Sequence, residues 1–118
     1  MTKETDRELL ELAAKAAGYL VIRSRIDDPI NKDFLIADSV RNHSQVNGPW
    51  NPLTDDGDAL RLAVKLGLVI SPSRVTVMAY EPSSMARDEV YEPIRPDPLA
   101  ATRRAIVRAA AEIGRAMP

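Results

Sequence analysis

The apolar positions of this chain open with a period near four. Leu9, Leu12, Ala13 and Ala16 form one stripe, flanked by Leu10, Ala14 and Ala17, which is the spacing of an amphipathic helix. Thr5 and Glu8 stand at capping-box distance just before it, and Gly18 follows, so a helix is predicted over residues 6–17. From Tyr19 to Ile26 the period falls to two. Leu20, Ile22 and Ile26 alternate with Val21, Arg23 and Arg25, which predicts a strand whose buried face carries Leu20, Ile22 and Ile26. Asp27-Asp28-Pro29 signals a turn. Phe34, Ile36 and Val40 then alternate with Leu35, Ala37 and Ser39 as a second strand. The two strands suit an antiparallel hairpin across a loop of about seven residues.

Residues 41–53 lose all period and contain Gly48, Pro49 and Pro52, so a long loop is expected there, of the kind that is often functional. A second helix follows. Thr54 is its expected N-cap, Leu60, Ala63 and Val64 its apolar face, and Gly67 its stop. Leu68-Val69-Ile70 is a short apolar run ended by Ser71-Pro72-Ser73. Val75, Val77 and Ala79 alternate with Thr76, Met78 and Tyr80 as a third strand, and residues 88–92 around Val90 and Tyr91 make a weaker fourth. Asp97-Pro98 then places an N-cap and a first-turn proline ahead of a long helix. Its face is Leu99, Ile106, Ala110, Ile113 and Met117, with Arg104, Arg108 and Arg115 opposite. The predicted order is α-β-β-α-β-β-α, an α+β domain over 1–118 in which amphipathic helices cover one small antiparallel sheet.

Composition narrows this reading. The aromatic share is 4%, so the core has to be built from aliphatic side chains and alanine. A net charge of -1 provides no global attraction to nucleic acid or anionic membranes. The chain has no cysteine, which removes disulfides, thiolate chemistry and cysteine zinc sites and suits a cytoplasmic protein. The charged start Met1-Thr2-Lys3-Glu4 has no apolar signal core behind it, and no apolar run has the length of a membrane span.

The run Trp50-Asn51-Pro52-Leu53-Thr54-Asp55-Asp56-Gly57-Asp58-Ala59, continuing to Gly67, resembles a family of small bacteriophage and prophage proteins, the phage ABA sandwich domain family. Residues 101–112 and the opening 6–18 resemble it as well. The resemblance implies layered sheets and helices and a phage or prophage accessory protein. It implies no catalytic residue and no cofactor.

The candidate chemistry is sparse. Asp55, Asp56 and Asp58 offer clustered carboxylates of the kind hard cations prefer, and a metal-dependent hydrolase would use them. Their spacing departs from the calcium-loop pattern, and a helix first turn accounts for acids at those positions. Trp50, beside Asn51, fits either a partner-binding anchor or a filler for a core short of large side chains. His43 is the sole histidine, so it has no histidine partner for a metal site and reads as a loop residue. Arg104, Arg108 and Arg115 offer a basic helix surface to phosphates, but Glu112 interrupts it and aromatic stacking partners are scarce. The expectation is a non-enzymatic protein without cofactor, monomer or homodimer, binding a host or phage protein through residues around His43, Trp50, Asn51, Asp55 and Asp56. A nucleic-acid-binding module on the helix arginines is the alternative.

Overall fold

In the computed structural model, residues 4–38, 46–83 and 89–118 are described. Three helices and six strands follow one another as α1 (Asp6–Ala17), β1 (Tyr19–Ser24), β2 (Phe34–Asp38), β3 (Val46–Trp50), α2 (Asp56–Leu66), β4 (Val69–Pro72), β5 (Thr76–Tyr80), β6 (Val90–Pro93) and α3 (Pro98–Ala116). The fold is α+β and its sheets are antiparallel, as expected. The strands form two sheets instead of one, ordered β1-β2-β3 and β4-β5-β6. Two strands had escaped the periodicity. β3 contains Gly48 at φ 93° and Pro49, and such residues hide a strand. Pro49 is tolerated because β3 lies at a sheet edge. β4 is the apolar run at 69–70 carried two residues into Ser71-Pro72.

α1 forms where its pattern places it. The Thr5 hydroxyl accepts the Glu8 N–H at 3.1 Å, and Gly18 closes the helix in the left-handed region at φ 75°. α2 differs in its cap. The Asp55 carboxylate, not the Thr54 hydroxyl, accepts the first-turn N–H, from Asp58 at 2.8 Å. Thr54 Oγ1 instead approaches the Asn51 carbonyl at 3.4 Å. α3 is capped by Asp97, which accepts from Ala100 N at 3.1 Å.

One core cluster gathers Leu9, Leu10, Phe34, Ile36, Trp50, Leu62, Val107 and neighbouring alanines from α1, α2, α3 and the first sheet. A smaller one joins Val77, Ala79, Val90 and Ile94 of the second sheet region to Ala105 and Ala109 of α3. α3 thus serves both clusters, with Leu68 and Ile70 packed against each. At the α1–α3 contact, a Cβ on Gly114 would lie 2.0 Å from the Leu12 carbonyl oxygen. Glycine is therefore required for that approach.

Three expected faces are corrected. β1 buries against the core through Tyr19 and Val21 and turns Leu20 and Ile22 outward, 57% and 52% exposed. Both faces of β1 are apolar, so alternation alone could not choose, and the aromatic contact of Tyr19 with Trp50 chose. Ile26, past a register shift between Val21 and Arg23, does turn inward. α2 buries Ala59, Leu62 and Ala63 and leaves Leu60 and Val64 exposed. The stripe holding Leu62 and Leu66 competes with the expected one at the same helical spacing. On α3, Ile106 and Ala110 are buried as expected while Leu99 and Met117 face solvent.

Candidate functional site

Trp50 ends β3 and is 4% exposed. Its ring meets Tyr19 edge-on, with centroids 5.6 Å apart, and Phe34 at 6.4 Å. Three of the few aromatic rings thus share one place in the core. Lys65 of α2 sits 4.4 Å over the Tyr19 ring and covers it from outside. Trp50 is a core residue, so the ring is not an exposed anchor.

Asn51 is the buried polar residue of the junction, and every bond it makes is structural. Its side-chain amide donates to the Lys32 carbonyl, and its side-chain oxygen accepts from Leu53 N at 2.9 Å. Its backbone N–H donates to the Asp58 carboxylate at 2.9 Å. Its carbonyl accepts from Thr54 N at 3.1 Å and Asp55 N at 2.9 Å. Asn51 therefore ties the 25–33 loop to the start of α2, and burial is affordable because its polar atoms are satisfied.

The aspartates divide among three tasks. Asp55 caps α2, and Asp58 takes both the Asn51 N–H and Arg61, whose guanidinium donates at 2.8 Å. That bond holds the Arg61 guanidinium above its ordinary pKa. Asp56 turns away to Arg103, whose Nη1 donates at 2.6 Å. Arg103 Nε also donates to the Leu53 carbonyl at 2.8 Å, clamping α3 to the loop before α2. Among the described residues, no group of three or more histidines and acids is arranged to hold a metal ion. The carboxylates at 55, 56 and 58 act as cap, clamp and brace.

Around this junction lies an open hollow of about 640 Å³ lined by Ile30, Lys32, Asp33, Pro49, Asp55 and Arg61, among others. Its outer wall is the 25–33 loop. Arg25 grips Asp33 with two parallel bonds of 2.7 and 2.9 Å, the bidentate geometry of a strong pair. Asp28 accepts from Ile30 N at 2.8 Å and Asn31 N at 3.1 Å. Those two N–H groups hold its carboxyl below the usual carboxylate range. This wall has no local signal in the sequence, because the Lys32–Asn51 bond that places it spans nineteen residues. His43 lies outside the described residues.

The helix arginines are engaged within the molecule. Arg104 donates to Asp6 at 3.1 Å, Arg108 to Glu92 and to the Tyr91 carbonyl, and Arg115 to Glu4 and Glu112. The Glu4 bond holds the Arg115 guanidinium above its ordinary value. These pairs fasten α3 to the start of α1 and to β6, and they offset the charge that a phosphate would meet. No helix among the described residues is long and apolar enough to cross a membrane. Comparison with protein-family models, curated proteins and solved structures finds no match to this chain.

Proposed function

We propose that the chain is a non-enzymatic bacteriophage or prophage accessory protein that binds a protein partner, from host or phage, in the bacterial cytoplasm. The observation that carries this reading is the outward face of β1. Leu20 and Ile22 stand 57% and 52% exposed on a strand at the edge of its sheet. Natural edge strands are usually blunted by charge or cover, and neighbouring exposed apolar side chains there favour pairing with another chain. The titratable side chains around Trp50, in contrast, are committed to caps and ties. The phage origin rests on the resemblance of residues 6–18, 50–67 and 101–112.

The test is affinity capture from host and phage-infected lysates with the full chain and with a Leu20→Lys, Ile22→Lys variant. Both sites are exposed, so the variant keeps the fold. The expected result is a partner retained by the parent chain and lost by the variant. Repeated capture of no partner overturns the reading. Sedimentation equilibrium of the two proteins adds the remaining outcome: a dimer that the variant dissolves makes a second copy the occupant.

A further inference from the structure

Most arginines described above are spent on carboxylates, whereas Arg74 and Arg95 form no ion pair or side-chain hydrogen bond within the described residues. Both are exposed, and both line one hollow of about 700 Å³ together with Pro72, Ile94, Pro98 and Leu99. Ser73 and Thr102 complete its lining; Leu99 in the rim is 62% exposed, and Val75, next to Arg74 but outside the hollow, is 74% exposed. Two guanidiniums with no pair among the described residues, beside a hollow lined by Pro72, Ile94, Pro98 and Leu99, form a combination found nowhere else among the surfaces described above.

The backbone that presents them is held on three sides. Ser73 Oγ accepts from Val75 N at 3.2 Å and Thr76 N at 3.0 Å and donates to the Thr76 carbonyl at 2.8 Å, so the turn carrying Arg74 is braced. Ile94, just before Arg95, donates its N–H to the Val75 carbonyl at 2.8 Å and is buried. On α3, the nearby Asp97 carboxylate is committed to its cap, and Thr102 Oγ1 donates to the Pro98 carbonyl at 2.8 Å. Little ordering is left for a ligand to impose on the backbone, which is what preorganisation requires.

We infer that this hollow is a docking site for a peptide segment of a partner protein in which a bulky apolar side chain is flanked by carboxylates. The apolar residue enters against Ile94, Pro98 and Leu99, and the acids meet the forked donors of Arg74 and Arg95, the geometry suited to carboxylates. A flat bilayer surface would leave the recess at Ile94 and Pro98 uncovered. A nucleic acid would gain nothing from an aliphatic floor with no ring to stack on. Charge complementarity therefore favours the acidic peptide. The inference rests on the protein-binding reading, but it concerns a different face from Leu20 and Ile22.

The experiment titrates the ¹⁵N-labelled full chain with the blocked peptide Glu-Asp-Leu-Phe-Asp-Glu up to about 1 mM, the range of weak peptide contacts. Expected are saturating amide shifts grouped at Ser73, Arg74, Ile94, Leu99 and Thr102. Affinity should fall about tenfold or more in an Arg74→Glu, Arg95→Glu variant, and likewise when glycines replace the peptide's Leu and Phe. Both arginines are exposed, and unchanged amide shifts elsewhere verify the fold. Shifts that scatter, that are absent, or that survive the charge reversal overturn the inference. So does preferential binding of anionic phosphatidylglycerol vesicles or of duplex DNA in the same assay. If the peptide fails to bind while lysate capture still depends on Leu20 and Ile22, the hollow fails and the protein-binding reading stands; if no partner is captured by any form, that reading fails by itself.

Discussion

At the scale of single residues, the junction before α2 shows how neighbouring polar side chains take different jobs. Thr54 and Asp55 are both good N-cap types, and sequence preference alone favours neither strongly. Backbone geometry decides: Asp55 has the extended conformation of a cap and its carboxylate faces the Asp58 N–H. Asp55→Ala should therefore cost about 1 kcal/mol in urea unfolding, whereas Thr54→Ala should cost a few tenths at most. Equal losses would return the cap to Thr54. Asn51 works by the same physics at greater depth. It is a buried polar residue that exists at no net penalty because Lys32, Leu53 and Asp58 satisfy it. Its presence was visible in the sequence, but its partners were not.

At the scale of elements, the helices were legible and the strands only in part. Capping and stop residues act within a few positions of where they stand, so α1 and the start of α3 follow from local chemistry. Faces are another matter, since β1 and α2 each carry two apolar stripes and the neighbouring element selects one. The α1–α3 contact is the sharpest tertiary demand on a single position. In a solvent-facing helix, glycine to alanine would stabilise by about 1 kcal/mol. Gly114→Ala should do the reverse, because the added Cβ lies 2.0 Å from the Leu12 oxygen and only backbone can give way. A loss of about 3 kcal/mol or more is expected in equilibrium unfolding, and any gain in stability would mean the helices sit further apart.

At the scale of the molecule, two sheets and two core clusters share one helix. Ile106, Val107, Ala110 and Ala111 of α3 face the first cluster, while Ala105 and Ala109 face the second. An alanine-rich helix can be buried on two sides because its side chains are small enough for close approach on both. Loss of packing in one cluster must then be felt in the other. Val77 lies in the second cluster and is fully buried, whereas Trp50 reports only on the first. Val77→Ala removes about two methylene equivalents and should cost about 2 kcal/mol with its residual cavity. The loss should appear equally in Trp50 fluorescence and in far-UV circular dichroism. An unchanged fluorescence transition would show two units that unfold separately.

The amino-acid sequence by itself determined the α+β class, the bounds of α1, the capped start of α3 and the aliphatic character of the core, because these depend on composition and on contacts a few residues apart. It left Trp50 open between core filler and exposed anchor, and burial decided for the core. Only the tertiary structure decided that there are two sheets, that Leu20 and Ile22 face outward, that Asp56 serves Arg103 and Asp58 serves Asn51, and that Arg74 and Arg95 meet at one hollow. Each of these depends on a partner far along the chain. A period of two or of 3.6 says that a face exists, and only the element lying against it decides which face is buried.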